Sequence, residues 1–150
     1  MSFDINSTNN YDEIMDQQFN LLQDMINLSD YVIYQEYEDL ELLETGMDLL
    51  KKMIKVNKLN YHLVDNFAEE REVKFIKRQY HSYSLDLLDK IGEEIRNLQI
   101  ILEDISEVYN NFDSIDEDLK IEAMNTIETI ATYNLRDYEN TIKNTFKGSL

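Results

Sequence analysis

The chain has no cysteine, no proline, no tryptophan and only three glycines, Gly46, Gly92 and Gly148, in 150 residues. Without cysteine there are neither disulfides nor thiolate metal sites. Sheets and loop-rich folds turn on proline and glycine, so their scarcity favours long helices joined by few turns. No apolar run approaches the roughly 20 residues that span a bilayer. The leading MSFDINSTNN lacks the basic and apolar regions of a secretory signal, so a cytoplasmic protein is expected. Histidine occurs only at positions 62 and 81. Lysine and arginine are missing altogether from residues 1–50, which hold twelve acids.

What is present is enough for one ordinary domain. Apolar residues make up 43% of the chain, which excludes a disordered polyanion despite the net charge of −17. The charge is uneven. Residues 51–100 carry ten basic residues against eight acids, and residues 101–150 return to eleven acids against four. Such a surface repels nucleic acid and anionic lipid and suits a basic partner.

One helical pattern dominates, from Tyr11 to Val56. Phe19, Ile26, Ile33, Leu40, Met47 and Ile54 recur every seven residues. Met15, Leu22, Leu43 and Leu50 form a companion row, and Ile14, Leu21, Leu28, Leu42, Leu49 and Val56 another. Four of the seven heptad rows are mostly apolar, wider than a two-stranded coiled coil needs, so the helix packs against two or more neighbours. Asn27–Asp30 and Thr45–Asp48 resemble interruptions, but the phase passes both without a slip. A continuous rod of about 69 Å is therefore expected at 1.5 Å per residue.

Residues 1–10 read as a disordered polar leader, where Asn6, Ser7, Thr8, Asn9 and Asn10 compete for backbone bonds. Asn57–Asn60 reads as a turn. A second apolar row resumes at Val73 and rotates at His81–Ser84, where serine can cap a new helix. The clearest turn is Asn110–Asp113, followed by Ser114 three residues before Glu117, the spacing of a capping box. A last helix then runs to a stop at Gly148. The expected fold is an all-α antiparallel bundle over residues 11–147. It has three long helices (11–56, about 61–111, 115–147), or four to five shorter ones if the chain kinks near Ser29 and Ser84.

Chemistry-bearing motifs are missing. Neither His62 nor His81 follows a glutamate by three residues, as di-iron bundles require. An EF-hand loop begun at Asp113 would place Ile115, Asp118 and Met124 where a ligand, glycine and glutamate belong. No glycine-rich phosphate loop occurs, and Ser82 beside His81 is adjacent only in sequence. The expectation is a non-catalytic protein without metal or cofactor. Four polar residues interrupt apolar rows: Ser29, Glu36, Glu94 and Asn134. Each needs a partner, a rim position or an open groove.

The polar side of the first helix is the candidate working surface. Glu13, Asp16, Asp24, Asp30, Glu38, Glu41, Glu44 and Asp48 fall there, with Tyr31, Tyr34 and Tyr37. Tyrosine offers wide contact area at small entropic cost. Tyr31, Tyr34, Tyr37, Glu38, Glu41, Glu44 and Asp48 are the candidate partner-binding residues. The expected partner is a basic protein surface, in the sharpest form one that normally holds nucleic acid. Eight acids over about 53 Å are half as dense as one DNA strand, with a phosphate every ~3.4 Å. A mimic therefore needs the second acidic group, Glu103 to Glu122, alongside. The competing expectation is self-assembly, with Lys51, Lys52, Lys55, Lys58, Arg71, Lys74, Lys77 and Arg78 meeting the acids of another copy.

Overall fold

The computed structural model describes residues 11–36, 38–67 and 84–138. They form four α-helices: α1 (Tyr11–Tyr34), α2 (Asp39–Phe67), α3 (Ser84–Asn110) and α4 (Glu117–Tyr133). A π-helical turn, Asn134–Tyr138, extends α4. Among the described residues there is no strand. The leader, Tyr37, the His81–Tyr83 part of the expected kink and the stop at Gly148 lie outside these residues.

The bundle is up-and-down. Gln18 of α1 bonds Asn60 near the far end of α2, so these two helices run antiparallel. Glu44 and Met47 of α2 meet Tyr109 and Ser106 of α3 in reverse order. Gly46 and Met53 of α2 meet Ile127 of α4 and Asn134 just beyond it in the same order. Helix α2 packs against each of the other three. Its buried positions accordingly wrap more than half its circumference, from Leu42 and Leu43 through Leu49, Leu50, Met53 and Ile54 to Leu63 and Val64. The wide apolar arc belongs to this helix.

The continuous rod expected over 11–56 is not formed. The chain leaves the helix after Tyr34 and re-enters it at Asp39, at neither Ser29 nor Gly46. Seven-residue recurrence is equally consistent with a rod and with a hairpin whose arms both turn the same rows inward. Burial decides between them: the hairpin covers an apolar arc that a lone rod would leave wet. The break is also favoured electrostatically. Asp39 and Glu41 now sit in the first turn of a new helix, where the dipole is positive.

The rows change rank as well. Leu40 of the lead row is exposed, and Phe19, Ile26, Ile33 and Met47 are only half-buried. The row of Gln18, Met25, Val32, Gly46, Met53 and Asn60, exposed only at Asp39, is buried instead. Gly46, one of the suspected interruptions, is a close-packing position inside α2. The turn expected at Asn57–Asn60 is also absent, and both amides find partners in the helical bundle, one within α2 and one across to α1. Asn57 Nδ2 donates to the Met53 carbonyl at 2.9 Å, and Asn60 Oδ1 accepts from Gln18 Nε2.

One boundary stands as expected: α3 ends in a tight turn at Asn111–Ser114. The amide nitrogens of Ser114 and Ile115 both donate to the Asn111 carbonyl, at 3.0 and 2.9 Å. The capping box is not made: Asp116 holds the N-cap position of α4 without a side-chain cap bond, and Ser114 Oγ donates to Asn111 O at 3.2 Å. Lys120 closes the corner, lying 4.3 Å from the Phe112 ring centroid and 3.5 Å from Glu117.

Candidate partner-binding surface

Tyr31 and Tyr34 occupy the last turn of α1, three residues apart and on one face, while Val32 between them is buried. Tyr34 is 71% exposed and Tyr31 46%. Neither ring is taken into the core, which is unusual for side chains of this size. Tyr37 lies outside the described residues. Glu38, Glu41, Glu44 and Asp48 follow, all exposed; the last three are spaced to share a face of α2.

The hairpin corrects the geometry assumed for this surface. Glu13, Asp16, Asp24 and Asp30 belong to α1, and Glu41, Glu44 and Asp48 to the antiparallel α2. The straight 53 Å ladder of carboxylates therefore does not exist. A compact acidic end replaces it. The first turns of α2 abut the end of α3, where the Tyr109 hydroxyl donates to Glu44 Oε1 at 2.6 Å. Leu40, Tyr109, Phe112 and Asp113 line one shallow depression there. Carboxylates from both acidic stretches of the sequence thus share one end of the bundle.

Asp48 is paired with Lys52 at 3.2 Å, an exposed one-turn ion pair of small energetic weight. Tyr109 is the residue that sequence reasoning missed. Its only signal is a polar tip on the helical row of Leu102, Ile105 and Phe112, and its partner lies 65 positions away. The Glu44 carboxylate holds the Tyr109 proton and raises the phenol's pKa above 10.0; partial burial and the nearby charge act in the same direction. With the folded-state pKa raised, this pair stabilises the fold below about pH 10 and ceases to do so as pH climbs through the raised value. Spectrophotometric titration of the tyrosines near 295 nm should show a late-ionising component that disappears in Tyr109→Phe. A variant curve retaining that component would refute the assignment.

The polar interruptions separate into two kinds. Glu36 and Glu94 are exposed. Ser29 and Asn134 are fully buried, and Ser29 Oγ and Asn134 Oδ1 make no hydrogen bond. Asn134 Nδ2 faces the Met53 sulfur at 3.6 Å. His62 is half-buried on α2, and His81 lies outside the described residues, as do Arg71, Lys74, Lys77 and Arg78 of the basic cluster. Among the described residues, no group of three or more histidine, cysteine or acidic side chains is placed to hold a metal ion. No described helix is long and apolar enough to cross a membrane.

Fold and surface define a class: an all-α antiparallel bundle with an acidic, tyrosine-bearing end. Compared with protein-family models, curated proteins and solved structures, the chain matches none of them.

Proposed function

We propose that this protein is a non-catalytic binding protein of the cytoplasm, an inhibitor or adaptor whose acidic end engages a basic surface of a partner protein. The observation that carries the reading is the exposure of Tyr34 and Tyr31 beside Glu38 and Glu41. Two large, stiff aromatic faces left outside the core are costly in water and useful only when covered. The neighbouring carboxylates set the sign of what covers them. A clustered acidic end suits a compact basic patch, such as one that otherwise contacts nucleic acid, better than an extended phosphate-like row would.

Affinity capture from a lysate with the wild type, Glu38→Lys/Glu41→Lys and Asp89→Lys/Glu93→Lys tests this. The last pair is exposed near the start of α3, at the other end of the bundle, and makes the same change in net charge. Partners captured by the wild type should be lost by the first variant and kept by the second, and their retention should weaken with salt. Identical partner lists from all three proteins would sink the proposal.

A further inference from the structure

Helices α3 and α4 lean on α2 more than on each other, and an open groove of about 290 Å³ runs along their seam. Its floor is apolar: Ile101, Ile105 and Val108 from α3, then Ile115, Leu119 and Ala123 from the turn and α4. The charged residues lining it are Asp104, Glu107 and Glu122, with no basic residue among them. A second depression continues the strip across α4 through Ile121 and Ile130, with Asp118 at its edge. Leu119 and Ile121 are 44% and 46% exposed. Among the described residues none of these four carboxylates has a cationic partner.

We infer that this seam is a docking groove for one amphipathic helix of a partner protein, apolar on one face and flanked by lysine or arginine. The floor calls for apolar anchors, and the rim fixes the sign of their flanks. A helix is the fitting occupant because it satisfies its own backbone. An extended peptide would find no sheet edge among the described residues to pair with. From Leu119 to Ile130 the strip is about 17 Å long, room for roughly three helical turns with anchors at i, i+3 or i+4, and i+7. The inference takes from the proposed function only the sign of the partner's charge and concerns a different surface.

The test is fluorescence anisotropy with a labelled 18-residue helical leucine/lysine peptide, added to the full chain. Attraction to a protein of net charge −17 would by itself bind such a probe, so the decisive variant adds negative charge. Leu119→Asp removes an apolar anchor and places an acid in the first turn of α4, where the helix dipole tolerates it. Docking predicts at least tenfold weaker binding for Leu119→Asp, and a comparable loss for Asp104→Lys/Glu122→Lys. Asp89→Lys/Glu93→Lys, exposed at the other end of the bundle and equal in charge change, should stay within twofold of wild type. Circular dichroism confirms that each variant is folded, and Ile121→Asp replaces Leu119→Asp if the latter is not. Unchanged or tighter binding by Leu119→Asp would mean simple charge attraction and overturn the proposal. A loss with Asp89→Lys/Glu93→Lys as large as with the groove variants would also overturn it. So would a wild-type dimer, seen by sedimentation, that Leu119→Asp dissociates, since a second copy would then be the occupant. Failure of the acidic-end reading shows instead in the capture experiment, which does not involve Leu119.

Discussion

Replacing Gly46 with alanine should lower stability by about 1–3 kcal/mol, although alanine is favoured over glycine in a helix interior by roughly 1 kcal/mol. The reason is the diagonal contact that brings α2 against α4. A methyl group at position 46 would meet Ile127 Cγ1 at 2.5 Å and Cγ2 at 2.9 Å, and Cδ1 closer still. Turning the end of the isoleucine clears only Cδ1. The two γ carbons are fixed by a stiff β-branched χ1, and Ile127 is almost wholly buried, so α4 itself has to retreat. Urea unfolding of the variant series would show this as a lower midpoint. Ile127→Ala alone should cost about 2–5 kcal/mol through the cavity it leaves. In that background Gly46→Ala should become neutral or stabilising, because the overlap is gone and the propensity gain remains. A more stable Gly46→Ala in the wild-type background would mean that α2 and α4 do not approach each other here.

Gly46 also illustrates which parts of the fold were legible in the sequence. Composition identified an all-α bundle correctly, because missing proline and glycine is a local property that sequence records directly. Asn110–Asp113 was legible for the same reason, since the turn is made within its own few residues. What escaped depends on partners far along the chain. One buried row contains Gln18, Gly46 and Asn60, three residues that no hydrophobic scale marks as core. Gln18 and Asn60 are there because they bond each other across 42 positions, and Gly46 because Ile127 needs the space. A missing side chain and a distant amide look like helix breakers until the partner is in view. The break at Gln35–Glu38 was obscured by a pattern that counts sevens whether or not the chain doubles back.

The candidate surface divides in the same way. That Tyr31 and Tyr34 lie on a polar side was readable from spacing, and their exposure agrees with it. That Glu44 accepts from Tyr109 was not readable, nor was the gathering of two acidic stretches at one end. The groove between α3 and α4 left no trace in the sequence. Its floor residues read as ordinary core positions, and only the spacing of two helices opens it.

Leu59→Ala should be among the most damaging truncations in α2, costing about 2–5 kcal/mol and lowering the melting temperature by about 2–4 °C for each kcal/mol in a chain of this size. Leu59 lies between Asn57 and Asn60, where the sequence suggests an exposed turn, yet its side chain is fully buried in the shared core. Leu40→Ala is the matched comparison. Leu40 stands in the leading heptad row but is exposed beside the hairpin break, so its truncation should cost well under half as much. The heptad reading orders these two leucines one way and the folded chain orders them the other, so thermal unfolding of the pair discriminates directly. Near-equal costs, or a larger cost for Leu40, would indicate that α2 ends before Leu59. The two positions also separate stability from binding. Leu40 lies at the acidic end and lines the depression with Tyr109 and Asp113, whereas Leu59 is some 28 Å further along the helix at 1.5 Å per residue. Below its melting temperature Leu59→Ala should therefore retain the partners captured by the wild type, because the residues proposed to meet them are held by the opposite end of α2.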